Sequence, residues 1–188
     1  MRRQAALLLL LLLAAGPLAA QSGREYFVQP SAPVDSATAA RQAPFYVLRD
    51  STSAISAAGA RLMSDLTPSS SVPWMQARAR AVAKACAGSV TPLADARAST
   101  EASSWPKSMQ QRAQTDVLKQ MDTFAGVLAG CQKTWTTLAA DTSQTSLRDQ
   151  APYQMQRLQS EVSALSRSVQ NYLRFTEAQL PPPGSPGP

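Results

Sequence analysis

The sequence predicts an all-α protein: an antiparallel bundle of about four helices, preceded by an extended lead-in and followed by a disordered Pro-rich tail. Three observations predict it. Apolar residues recur at spacings of three and four over long stretches, the period of one helix face. Residues that strands favour are scarce: isoleucine occurs once, at Ile55, and aromatics make up 6% of the 188 residues. The breaks between periodic stretches are mostly short clusters of Ser, Thr, Pro and Gly, so successive helices are expected to fold back on one another.

In chain order, residues 1–20, MRRQAALLLLLLLAAGPLAA, have the layout of a secretory signal peptide. Arg2 and Arg3 supply the charged start, Ala5 to Ala15 the apolar core, Gly16 and Pro17 the break, and Leu18, Ala19 and Ala20 the small-residue site. Cleavage after Ala20 would leave Gln21 first. A retained anchor would need about 20 apolar residues, and this run is shorter and ends in Gly-Pro. No cysteine follows it to carry a lipid, and the paired arginines lack the flanking residues of a twin-arginine signal.

Residues 21–43 read as the extended lead-in, with Pro30 and Pro33, a small apolar knot at Tyr26, Phe27 and Val28, and room for one helical turn around residues 36–41. The helical domain is expected over residues 44–180. Pro44 suits the first turn of a helix running to about Leu66, with Leu48, Ile55, Ala58, Leu62 and Leu66 on its apolar face. After the break at Thr67-Pro68, a second helix begins near Pro73 and carries Met75, Ala79, Val82 and Cys86; Gly88 and Thr91-Pro92 should end or bend it.

The third helix is expected to open at Ser104-Trp105-Pro106, with the serine as cap. It runs through Met109, Ala113, Val117, Met121, Phe124, Leu128, Cys131, Trp135 and Leu138. The fourth should start at Ser146, whose pattern Ser-Leu-Arg-Asp resembles a capping box, and its seam runs from Leu147 through Ala151, Met155, Leu158, Val162, Leu165 and Val169 to Tyr172. Such three-four alternation is the pattern of coiled-coil-like packing. The tail, residues 181–188, is PPPGSPGP and is expected to be disordered.

Cys86 and Cys131 are the only cysteines. Both fall on apolar seams, where free cysteine packs as a small hydrophobe, but export would place them where disulfides persist. A bridge between them is the expectation, with two buried thiols or an intermolecular link as the alternatives. A simple hairpin turning near Glu101 would set Cys86 opposite Asp116, about 22 Å of helix away from Cys131. An intramolecular bridge therefore predicts a long, looser connection over residues 89–104, draped back along the third helix.

The chemistry readings are mostly exclusions. There is no histidine, which removes the usual general base, the Ser-His and Cys-His nucleophile pairs and the commonest metal ligand. The four glutamates form no Glu-x-x-His pair for a di-iron bundle, and the acids are spread singly. No catalytic, cofactor-binding or metal-binding residues are expected, no cofactor is expected, and a non-enzymatic protein is the reading. Without Arg2 and Arg3 the 18 basic residues fall to 16 against 12 acids, a mature charge of +4. That excess is scattered and does not suggest nucleic-acid binding. Arg78, Arg80 and Lys84 form a weak basic patch, with no acid between Asp65 and Asp95; a solvated face is the blander reading.

The functional expectation is an exported interaction or structural module of a bacterial-type envelope or secretome, periplasmic or secreted. Its partner would be another envelope or secreted protein, with no transmembrane span after signal cleavage. The alternative is a carrier or sensor for an apolar ligand or an anionic membrane or polymer surface.

Overall fold

The computed structural model describes residues 36–177, and these residues form helices and short connections. The signal-peptide segment, the knot at Tyr26, Phe27 and Val28, and the tail at residues 181–188 lie outside the described residues. Five helices follow in order: α1 (Ser36–Ser64), α2 (Val72–Gly88), α3 (Val90–Glu101), α4 (Ser108–Ala140) and α5 (Gln144–Glu177).

The five helices make four rods, because α2 and α3 join through the single residue Ser89 into one bent rod. Ser89 is fully buried and keeps a right-handed helical conformation, with φ −92° and ψ −7°. Its amide donates to the Cys86 carbonyl at 3.1 Å, and its carbonyl accepts from the Leu93 amide at 3.1 Å. Pro92 is the third residue of α3, in the first turn, where amides need no partner within the helix. Residues 90–101 are therefore helical, which corrects the looser connection expected there.

Around the bundle, α1 packs on α2, α3 and α5, while α4 packs on α2, α3 and α5. The rods thus alternate in direction and close into a ring, with α1 and α5 forming the last seam. The core lies between them. Ile55, Val82, Val117, Met121 and Phe124 are fully buried, and Trp135 is nearly so. Each such large side chain contributes about 1.5–3 kcal/mol relative to exposure.

Several boundaries differ from the sequence reading. α1 starts at Ser36, so residues 36–43 are helix and not lead-in, and Pro44 lies inside the helix. The alanine-rich start favours helix, and burial of Gln42 and Phe45 anchors it. α4 starts at Ser108 after the extended residue Lys107, with no side-chain cap, so Ser104 is not its cap. α5 starts at Gln144, two residues before Ser146. Ser143 takes the capping role, accepting the Ser146 amide on its Oγ at 3.3 Å and the Leu147 amide on its carbonyl at 3.1 Å.

The register of α2–α3 against α4 runs without interruption. Gln76 donates to the Asp141 carbonyl at 2.8 Å, Arg97 meets Asp122 at 2.8 Å, and Gln114 donates to the Thr100 and Ser103 carbonyls at 2.7 Å. Between these contacts Cys86 and Cys131 face each other, their sulfurs at bonding distance and their Cα atoms 6.3 Å apart. The point halfway between the two cysteines in sequence is the start of α4, not Glu101. Residues 102–107 can span about 20 Å when extended, and they climb beside the first turns of α4, where Gln111 donates to the Trp105 carbonyl at 2.9 Å. Met109 points away from the core on the first turn of α4 and is 63% exposed, so it is no core residue.

Candidate interaction surface

The disulfide-distance pair is structural in setting. Cys86 is fully buried and Cys131 nearly so, and they tie the last turn of α2 to the C-terminal half of α4. The three basic residues do not converge. Arg78 lies 3.2 Å from Asp65, at the end of α1, and over the Trp74 ring at 5.2 Å, so it is opposed after all. Arg80 and Lys84 remain exposed on α2. The acid that meets Arg78 is 13 positions earlier in sequence, brought across the α1–α2 turn.

Among the described residues no group of three or more His, Cys, Asp or Glu side chains gathers as a metal site, and no helix is long and apolar enough to cross a membrane. Among the described residues two ionisable groups stand away from their usual pKa. The Asp141 carboxyl is lowered, first by the Ser143 amide that donates to it at 2.7 Å and then by the Ser146 side chain. Arg97 is raised by its hydrogen bond and charge contact with Asp122 and by Glu101. Both sit at exposed helix ends or rims, where they brace the fold.

The surface features that remain are grooves between rods. One lies between α4 and α5, about 240 Å³, and is open because Gly126 and Gly130 put no side chain into it. Another lies between α1 and α5, about 230 Å³, and its walls are largely apolar. Phe45, Leu48, Thr52, Leu165, Val169 and Leu173 line its inner side, while Tyr46, Arg49, Ser166 and Gln170 form its lips. At one end a ring cluster links the elements: Tyr172 lies 5.7 Å from Phe45 and 6.3 Å from Trp105, and its hydroxyl accepts the Trp105 indole N–H at 3.3 Å. Tyr46 is 47% exposed.

The apolar half of this groove was legible as seam positions Leu48, Leu165 and Val169. Tyr46, Arg49 and Gln170 fall off the seams, and nothing in a one-dimensional pattern marks them as a shared lip. No family model matches the chain, and no curated protein or solved structure matches it.

Proposed function

We propose that this chain is an exported, non-enzymatic helical module that docks another envelope or secreted protein through the α1–α5 face. The observation that carries this reading is the apolar groove between those helices, with a half-exposed tyrosine on its lip. Export is supported by the order of charge, apolar run, breaker and small residues at the start of the sequence, and it is compatible with a cysteine pair at bonding distance. The non-enzymatic reading is supported by the lack of histidine in the sequence.

The carrier reading would use the same groove. Ligand pockets usually enclose about 300–1,000 Å³ and bury most of their ligand. A groove of about 230 Å³ between two helices is smaller and suits side chains from a partner better.

The test is a photo-crosslinking residue placed at Tyr46, with one at Arg80 as control, in the full chain expressed in its own host. A discrete protein adduct from position 46 and none from position 80 is expected. Equal or absent adducts at both positions would remove the α1–α5 face as the docking site. Native mass spectrometry of the purified protein, without reductant, tests export by the mass of the processed chain. It also tests the carrier alternative by any small molecule retained.

A further inference from the structure

Resting on that docking role, the chemistry of the groove specifies its occupant. The lining covers residues 45–52 on α1 and 165–173 on α5, a length of about two helical turns. A partner helix seats side chains at i, i+3 or i+4, and i+7 over such a length. Leu48, Leu165, Val169 and Leu173 supply the floor for them.

The lining itself carries a single charge, and it is basic. Arg49 is the only charged residue lining the groove, and no acid lines it. Its guanidinium lies 5.2 Å from the Tyr46 ring centre and 2.8 Å from Asp50, in a pair whose side chains are 63% and 69% exposed. An ion pair that open to water is weak and can be exchanged. Arg174 follows Gln170 by one helical turn, so it stands beside the opposite lip. A second copy of this chain docked groove to groove would offer the same basic lips, so that arginine would face arginine across the two-fold axis.

We infer that the groove receives an amphipathic helix of an exported partner, with apolar side chains on its floor and acidic residues facing Arg49 and Arg174.

The experiment uses the full processed chain with its cysteine pair oxidised and three probes. One is a helical peptide of about four turns with leucines at i, i+4 and i+7 and flanking glutamates, a spacing that fits such grooves. The second replaces the glutamates by lysines, and the third is decanoate. By calorimetric titration at low salt, the glutamate peptide is expected to bind at least about fivefold more tightly than the lysine peptide, with the gap closing as salt rises. Arg49→Glu with Arg174→Glu should reverse the preference, and Val169→Glu should weaken both peptides; circular dichroism confirms that each variant is folded.

Equal or tighter binding of the lysine peptide overturns the acidic partner while leaving a docking groove in place. Binding of neither peptide overturns the inference, and the crosslink at position 46 then decides separately whether the face docks a protein. Decanoate binding that Val169→Glu abolishes, with no peptide binding, overturns both.

Discussion

Two seams of the bundle are held by different means. Where α2 and α3 meet α4, the contact is cross-linked at four levels: Gln76 to Asp141, the cysteine pair, Arg97 to Asp122, and Gln114 to the end of α3. Where α1 meets α5, the contacts that define the seam are apolar: the Phe45–Tyr172 ring pair at 5.7 Å, the close fit of Gly59 against Met155, and the open groove between them. Directional bonds and a covalent tie fix one register, whereas apolar burial tolerates a gap. The rigid seam builds the scaffold, and the tolerant one leaves a surface to use.

The strongest way to break this contrast is to remove the covalent tie. On the chain-entropy model, a bridge closing a sequence separation of 45 stabilises by about 4 kcal/mol at most. Cys86→Ala with Cys131→Ala is therefore expected to lower the denaturant midpoint markedly. Hydrogen exchange should show amides around Cys86 and Cys131 losing their excess protection over those of α1 and α5. An unchanged midpoint would mean that the hydrogen bonds and burial alone set this register.

The tolerant seam is tested at Gly59. A Cβ there would overlap the end of the Met155 side chain, which is almost fully buried. Gly59→Ala gains about 1 kcal/mol of helix propensity but forces an overpacked core, which costs about 1–3 kcal/mol. A net loss of up to about 2 kcal/mol is expected by chemical denaturation. A gain would show that Met155 has room to turn, and that α1 and α5 are looser here than their contact implies.

The glycines of α4 give the opposite expectation. A Cβ at Gly126 or Gly130 meets nothing within 4 Å, so each change to alanine should stabilise by up to about 1 kcal/mol. Thermal melts that rise for these two and fall for Gly59→Ala would separate a glycine the packing demands from glycines it does not.

How far the sequence revealed this arrangement follows the same division. The seams of α1, α4 and α5 were legible because helical periodicity is a local property: Leu48, Ile55, Phe124, Leu128, Leu158 and Leu165 are all buried as their spacing required. The looser chain expected over residues 89–104 follows from Gly88 and Thr91-Pro92, which should end the second helix, and from the slack a Cys86–Cys131 bridge needs in a hairpin turning near Glu101; α3 is helix instead. Its burial rests on Leu93, Ala96 and Thr100, and the Thr100 hydroxyl is satisfied by the Ala96 carbonyl at 2.8 Å. The cysteine pairing was expected, but by a different route, since the reversal point depends on the path of residues 102–107. That path is held by Gln111 and Gln114, whose tertiary roles leave no pattern in sequence. The groove was hidden for a related reason: it is space left unfilled between helices far apart in sequence.

The smallest effect expected concerns Asp141, where α4 hands over to α5 at the end of the cross-linked seam. Its carboxylate accepts the Ser143 amide at 2.7 Å, while its carbonyl accepts Gln76 from α2 at 2.8 Å. The hydrogen bonds to the ionised form hold its pKa below the ordinary aspartate value. Because the folded value is depressed, the stabilisation is fully present above the unfolded pKa and is lost as pH falls through the folded one. Asp141→Asn removes the titrating group while keeping an acceptor for the Ser143 amide and leaving the backbone carbonyl that binds Gln76. The variant should therefore match the parent closely at acid pH and fall slightly below it near neutrality. Melting curves taken across the carboxylate range decide it: a constant gap between the two proteins would show that the side chain matters for its shape and not its charge.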